Sequence, residues 1–160
     1  MNSWNSLLSV EAGAAATLTG LVFVAFSINQ NKIMAFPGLP GRAFESLLQL
    51  LQVFLISTLA LVPGQSDREL AIEFLAIAVV SWVAQVTVQI RYLRARTGHP
   101  WSWITHRAVL AQFATVPFIV AGIALLAGTP GALYWLVPGF VFSFIAGIVS
   151  AWVLLVEILR

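Results

Sequence analysis

Seven polar side chains inside otherwise apolar segments are the residues of this sequence best suited to chemistry. They are Glu11, Thr17, Glu45, Gln49, Gln52, Gln85 and Gln89. The second apolar segment carries three of them at steps of four and three, and the third carries two that follow Ser81 at steps of four, so each set shares one helix face. A polar group in hydrocarbon is costly and needs a partner or a role. Two such faces can line a hydrated path, or they can hydrogen-bond each other across a dry helix interface.

Glu11 is the single acidic residue of the first apolar segment. One interpretation places it at the outer mouth of a pore, as one of a ring of carboxylates, or gives it a proton to carry. The other places it in the first turn of its helix, where the helix dipole favours a negative charge and the side chain reaches headgroup water. The sequence leaves both interpretations open.

Catalytic and metal-binding patterns are not evident in the sequence. His99 and His106 lie seven residues apart with no acidic residue close by, and the chain has no cysteine, so neither a metal site nor a disulfide is predicted. The sequence contains no nucleophile elbow, no glycine-rich phosphate loop and no zinc-protease motif. We therefore predict neither an enzyme nor a bound cofactor.

The elements that position these side chains are membrane-spanning helices. The chain is 60% hydrophobic and only 9% charged, against about 25% charged residues in soluble domains. A single all-α domain over residues 1–160, a bundle of about five transmembrane helices, accounts for this composition. The predicted spans are residues 9–29, 43–62, 69–90, 105–127 and 132–157, with a basic loop at 91–104.

Local signals mark some of the helix ends. Ser66 and Glu69 have the spacing of a capping box and predict the start of the third span. Thr129 and Pro130 fit the N-cap and the first position of the fifth helix. Between the first two spans, residues 30–42 contain two Pro-Gly turns and are predicted to form a polar loop.

Small residues distinguish the first and the fifth span. They form predicted packing ridges at Ala12, Ala16 and Gly20 and at Gly139, Ser143, Gly147 and Ala151. A helix that is thin on every side gains little from facing lipid, whereas it allows close approach of other helices. We therefore expect the first helix to be central and enclosed by protein, and the two ridges are able to pack against each other. Either ridge can also serve contacts between copies of the chain, so a homo-oligomer is predicted.

The basic residues predict the orientation. With the amino terminus outside and the carboxyl terminus inside, seven of the eight Lys and Arg residues lie on the cytoplasmic side, and Arg68 is the exception. The seven are Lys32, Arg42, Arg91, Arg94, Arg96, Arg107 and Arg160. The pI near 9.7 reflects this topology signal, and no nucleic-acid partner is predicted.

Three stretches resemble one family of small bacterial inner-membrane proteins. They are EAGAAATLTGLVFVAFSIN, then AFPGLPGRAFESLL leading to LVPGQ, and GALYWLVPGFVFSFIAGIVSAWVLLVEILR. Members of this family are commonly labelled "modulator of FtsH protease". The resemblance covers most of the chain and implies a bacterial inner-membrane location with a membrane-anchored protease as a partner. It transfers no catalytic or binding residue.

Two functions follow as the leading hypotheses. The first is a homo-oligomeric channel or small-ion and solute pathway, with the first helix lining the pore and Glu11 near its mouth. The second is a non-enzymatic subunit that regulates or stabilises another inner-membrane complex such as a membrane protease. The small-residue faces and the aligned polar residues exceed what a passive binder needs, so the sequence favours the channel. An intramembrane enzyme ranks third because no catalytic constellation is present.

Overall fold

The chain folds into long helices. A computed structural model describes the backbone of residues 2–35, 38–94 and 101–159, and the side chains of residues 4–35, 38–94 and 105–152. The helices are α1 (Asn2–Ile28), α2 (Gln30–Ala35), α3 (Leu39–Ala60), α4 (Asp67–Arg94), α5 (Trp101–Leu126) and α6 (Leu136–Leu159), with a 3₁₀ turn at Ala132–Trp135 before α6. Five of them, α1, α3, α4, α5 and α6 with its 3₁₀ turn, are long and apolar enough to cross a membrane. The chain is therefore an all-α, multi-pass membrane protein.

The connections at one end of the bundle differ from the predicted loops. The polar loop predicted at residues 30–42 contains the short helix α2, because Ile33 packs against Leu39, Ala43 and Phe26. The predicted basic loop at 91–104 is helical at both ends: α4 continues through Arg91 to Arg94, and α5 begins at Trp101. Residues 95–100 of that loop, with Arg96 and His99, lie outside the described residues.

Two of the helix ends are formed by capping motifs. At the start of α4 the Ser66 backbone amide donates to Glu69 Oε2 (2.8 Å) and the Glu69 amide donates to Ser66 Oγ (3.3 Å), which confirms the predicted capping box. At the end of α5 Gly128 adopts a left-handed conformation (φ 64°). Its amide donates to Leu125 O, and the Thr129 amide donates to Ala124 O (2.9 Å), as in a Schellman motif.

The cap at the start of the last helical segment differs from the one that the sequence predicts. Thr129 and Pro130 were expected at the N-cap and the first helical position, but Thr129 belongs to the end of α5. The next helical turn instead starts after Gly131, which has a left-handed backbone (φ 80°). Gly131 is thus the N-cap residue of this turn, and no side chain caps it.

Four of the long helices form a closed bundle. α3 packs against α4, α4 against α5 and α5 against α6, and α6 returns to α3. α1 lies outside this ring and packs mainly on α3. Only 17% of the α1 span is buried within the chain, against 56% of the α3 span. The prediction that the first helix is central and enclosed is therefore wrong for the single chain.

The small residues of α1 explain its peripheral place. A stripe of Leu8, Ala15 and Val22 is buried against the bundle, whereas a Cβ added at Gly13 or Gly20 would meet nothing within 4 Å. Small side chains permit close approach on one side, but they cannot fill the centre of a bundle. α3 carries larger side chains on several faces and packs against three long helices, α1, α4 and α6.

The small-residue ridge of α6 packs against α3 and α5, which corrects the expectation that it mates with the ridge of α1. A Cβ on Gly139 would lie 2.7 Å from the Phe118 ring of α5, and one on Gly147 would lie 3.0 Å from Leu50 of α3. Ser143, between the two glycines, is fully buried. The glycines thus admit side chains from neighbouring helices, as predicted for such a ridge, but the neighbours are different ones.

The two ends of the bundle differ in charge. At one end a Cβ on Gly38 would touch the Tyr92 ring, and the Arg107 guanidinium lies 5.3 Å from the centre of the same ring. At the opposite end the rings of Trp4 and Tyr134 are 5.0 Å apart. The first end, called the basic end below, carries Lys32, Arg42, Arg91, Arg94 and Arg107.

The half of the bundle away from the basic end has an apolar, aromatic core. Phe74, Phe118 and Phe140 are fully buried there, together with Leu70 and Leu136. The rings of Phe118 and Phe140 are 5.5 Å apart with an interplanar angle of 54°, a favourable tilted arrangement. Polar side chains are concentrated in the other half.

Candidate polar cleft and hydrogen-bond network

Side chains from all four helices of the bundle meet in a hydrogen-bond network at its centre. Gln52 Nε2 of α3 donates to the backbone oxygen of Ala114 in α5 (3.0 Å) and to Ser143 Oγ in α6 (3.3 Å). Ser143 Oγ donates to the same Ala114 oxygen (3.1 Å). Gln85 Nε2 of α4 donates to Thr115 Oγ1 in α5 (2.9 Å). These residues are called the central network below.

The central network corresponds to one of the two interpretations of the polar stripes, the one in which amide side chains bond helices together. Because a carbonyl oxygen only accepts, the contact with Ala114 fixes the orientation of the Gln52 amide. Gln52, Gln85, Thr115 and Ser143 are all buried. Each such bond between transmembrane helices contributes about 0.6 to 2 kcal/mol. Together they hold the four helices at one register and fill the middle of the bundle.

A buried ion pair lies closer to the basic end. Arg107 Nε donates to Glu45 Oε2 (2.7 Å), and Arg107 Nη2 lies 2.6 Å from the same oxygen as an ion-pair contact. The Glu45 side chain is 3% exposed and that of Arg107 is 16% exposed. Arg42, one turn before Glu45, lies near enough to interact with its charge. The pair joins the second turns of α3 and α5.

The ion pair forms one wall of a cleft between α3, α5 and α6. This basic-end cleft has a volume of about 250 Å³. Its polar lining consists of Arg42, Glu45, Gln49, His106, Arg107 and Ser150. The remaining surface is apolar and comes from Leu110, Ala111, Ala146 and Val149. A concave, largely apolar surface with a few polar groups is the usual form of a small-molecule site.

Two acceptor oxygens in the cleft lining have no hydrogen-bond partner in the described structure. They are Glu45 Oε1 and Gln49 Oε1, on side chains that lie one helical turn apart on α3 and face the same cleft. Both residues are nearly completely buried. An unpaired buried acceptor costs about 1–3 kcal/mol. A ligand with a donor group that enters the cleft would therefore gain free energy by donating hydrogen bonds to these two oxygens.

The structure brings together only part of the predicted polar set. Glu45 and Gln49 line the cleft and Gln52 and Gln85 join the central network. Gln89, further along the same face of α4, is half-buried and its Nε2 has no hydrogen-bond partner in the described structure.

The two polar candidates on α1 lie elsewhere. Glu11 falls between Leu8 and Ala15 on the stripe that packs toward the bundle, and its Oε2 atom is buried. Thr17 is exposed, but its hydroxyl donates to the Gly13 carbonyl of the same helix (2.8 Å). α1 therefore presents no free hydroxyl at Thr17, and Glu11 does not lie on its exposed face.

Some residues of the site were not predicted to act there. Arg107 was read only as a topology signal and Ser143 only as a packing residue, yet both are central to the polar contacts. Ser46 Oγ also donates to the Gly147 carbonyl (2.9 Å) and ties α3 to α6. The available signal for the Glu45–Arg107 pair was the opposite charge of two residues near the starts of the predicted spans 43–62 and 105–127, which the predicted topology places at one membrane face.

The other features of the described residues give less indication of a binding site than the basic-end cleft does. No group of three or more His, Cys, Asp or Glu side chains suitable for a metal occurs among the residues described. A second cleft between α5 and α6 is lined almost wholly by apolar side chains such as Phe113, Val116 and Phe142. Trp82 Nε1 donates to Gln112 Oε1 (2.7 Å) across α4 and α5 and accounts for the polar group at that position.

Comparison of the chain with protein-family models, with curated proteins and with solved structures finds no match.

Proposed function

We propose that this chain is a non-enzymatic membrane subunit that binds a small polar ligand in its basic-end cleft and associates with other transmembrane helices through α1. The observation that carries the proposal is the pair of unpartnered acceptors, Glu45 Oε1 and Gln49 Oε1, on nearly buried side chains of the cleft. The central network follows directly beyond Gln49 on α3 and closes the bundle with hydrogen bonds. This arrangement favours binding over conduction.

The proposed association surface is the exposed face of α1. The α1 surface of Gly13, Ala16, Thr17 and Gly20 is a face of small residues that the described part of the chain leaves exposed. Small faces of this kind let transmembrane helices approach closely. The resemblance to proteins labelled as modulators of FtsH protease makes a membrane-anchored protease the first heterologous partner to test, and a second copy of the chain is the first homologous one.

The alternative is a homo-oligomeric channel lined by α1. The exposure of α1 favours it, because that helix is free to meet copies of itself around an axis. The polar groups that such a pore needs are less well placed, since Glu11 lies on the bundle-facing stripe and the Thr17 hydroxyl bonds within its own helix. We therefore place the binding subunit first.

The proposed setting is the bacterial inner membrane, with the amino terminus outside and the basic end in the cytoplasm. The described basic residues are segregated as the positive-inside rule requires: five lie at the basic end, and Arg68 lies at the opposite end of α4. The lipid bilayer then surrounds the five spans, and the basic-end cleft opens toward the cytoplasmic interface.

Ion flux in liposomes separates the two functions. We expect purified wild-type protein to leave vesicles tight to monovalent ions over a range of potentials and pH, and the Glu11→Gln variant to behave in the same way. Flux whose cation preference falls in Glu11→Gln would instead place Glu11 on a conduction path and overturn the binding subunit. Protease protection of the vesicles serves as the control for insertion, so that an absence of ion flux can be attributed to inserted protein.

Disulfide cross-linking tests the α1 surface. The chain has no cysteine, so single-cysteine variants need no background changes. We expect Ala16→Cys to cross-link in native membranes. The control is Val80→Cys on α4, where the native side chain is 68% exposed, and we expect this variant to remain monomeric. A product of twice the chain mass identifies self-association, and a product that contains the protease identifies the heterologous partner. Equal cross-linking at both positions, or none at either, would contradict the assignment to α1.

A further inference from the structure

The basic-end cleft is lined by hydrogen-bond acceptors and by cationic groups, and the cationic Arg42 lies nearest to the basic end. Along α3 the order from the basic end inward is Arg42, Glu45 and Gln49, over about 10 Å of helix. Glu45 Oε1 and Gln49 Oε1 accept and have no partner in the described structure. A ligand that satisfies both therefore carries a donor group at its inner end.

The two arginines of the cleft favour an anionic ligand group. Arg42, Arg107 and His106 belong to its described lining, on α3 and α5. The Glu45 carboxylate, through Oε2, holds Arg107 Nε and Nη2, so the guanidinium is fixed in place. Guanidinium groups bind phosphate oxygens in a defined geometry. Arg42 and Arg107 are therefore the groups of the described lining that are suited to hold a phosphate.

Resting on the proposed binding function, we propose that the cleft binds phosphoethanolamine, a zwitterion with a primary ammonium and a phosphate. The ammonium donates to Glu45 Oε1 and Gln49 Oε1, and the phosphate lies between Arg42 and Arg107. The volume of about 250 Å³ suits a headgroup and not a whole lipid. Leu110 and Val149 in the same lining supply apolar surface for the first carbons attached to the phosphate.

Phosphoethanolamine has two sources, the headgroup of a membrane phospholipid and a free soluble ester. The thermal unfolding of the full chain in nanodiscs separates them. We expect replacement of part of the phosphatidylcholine by phosphatidylethanolamine to raise the unfolding temperature, and replacement by phosphatidylglycerol to have a smaller effect. Phosphatidylcholine is the matched control because it has the same two charges but no N–H group. Glycerophosphoethanolamine, added to phosphatidylcholine nanodiscs with glycerophosphocholine as its control, tests the free form.

Gln49→Leu is the decisive variant, with Ser57→Ala as its matched control. Both remove a buried polar group of α3 that has no partner in the described structure, but only Gln49 lines the cleft. We expect Gln49→Leu to weaken binding of the phosphoethanolamine probe by about tenfold or more, the loss of one hydrogen bond to a charged group. In pure phosphatidylcholine we expect the unfolding temperature of Gln49→Leu to be equal to or above that of the wild type, because the substitution removes an unsatisfied buried group. Ser57→Ala keeps the response to the probe.

The outcomes discriminate clearly. Stabilisation by the lipid alone assigns the headgroup, and stabilisation by the soluble ester assigns the free zwitterion; either supports the site. Equal stabilisation by the ethanolamine and choline forms, or a full response in Gln49→Leu, overturns the ligand assignment. In that case liposomes that show no ion flux would still support the proposed binding subunit. Ion flux through the protein would contradict the proposed function itself.

Discussion

Removal of Arg107 is the perturbation for which the structure makes the sharpest energetic prediction. Arg107 is the described partner of a carboxylate that is 3% exposed, at 2.6 and 2.7 Å from one oxygen. Arg107→Met keeps an unbranched apolar side chain of the length of the arginine stem and removes the charge, so that the Glu45 carboxylate is left in the bundle without its ion-pair partner. Arg42 also lines the cleft one turn before Glu45, but its charge replaces that of Arg107 only in part, because no ion pair within 4 Å joins it to Glu45 in the described structure.

The expected magnitudes are unequal for the two partners. Leaving a buried charge without its partner costs about 3–5 kcal/mol, which is our estimate for Arg107→Met. Glu45→Gln leaves an arginine that is 16% exposed and able to extend toward water, so its cost is smaller, about 1–3 kcal/mol. Replacing both residues by apolar ones removes the desolvation cost together with the attraction, and the double variant is expected within about 1 kcal/mol of wild type. With the same loss for Glu45→Leu as for Glu45→Gln, the single losses sum to at least ~4 kcal/mol and the coupling energy in the cycle is at least ~3 kcal/mol.

Equilibrium unfolding in mixed detergent micelles, followed by tryptophan fluorescence and circular dichroism, measures these free energies. The double-mutant cycle consists of wild type, Arg107→Met, Glu45→Leu and the double variant, with Glu45→Gln added to compare the two single losses. Single variants that both unfold like wild type would mean that the pair is solvated and contributes nothing. A double variant whose loss equals the sum of the single losses would mean that the residues do not interact, and the reasoning would be refuted.

Three further changes have defined outcomes in the same unfolding assay. Gly139→Ala places a Cβ 2.7 Å from the Phe118 ring and is expected to destabilise the bundle by about 1–3 kcal/mol through overpacking. Gly20→Ala, where a Cβ meets nothing within 4 Å, is expected to be neutral or to stabilise by up to ~1 kcal/mol through helix propensity; a loss at Gly20 as large as that at Gly139 would show that the contacts at Gly139 are not the cause. Ser66→Ala removes the hydroxyl that caps the Glu69 amide and is expected to cost about 1 kcal/mol, and an unchanged stability would mean that the first turn of α4 frays independently of the bundle.

Several features of this protein were determined by the sequence alone. Composition and the length of the apolar runs predicted five membrane-crossing helices, because the thickness of hydrocarbon fixes how many apolar residues a span requires. The capping box at Ser66 was predictable because its two hydrogen bonds join residues three apart. The shared face of Glu45, Gln49 and Gln52 followed from helix periodicity. In each case the cause lies within one helix or in the solvent.

The neighbours of each helix were decided only by the tertiary structure. Small-residue ridges on α1 and α6 are compatible with many partners, so their pattern did not reveal that Gly139 faces Phe118 of α5 or that α1 lies outside the ring. The side of α1 on which Glu11 lies depends on which helix α1 packs against, and this choice depends on how all the larger side chains fill the centre. The same holds for the cleft: Arg107 meets Glu45 across 62 positions of sequence. The ring of four helices brings the diagonal helices α3 and α5 within side-chain reach, and no signal within a single helix encodes that closure.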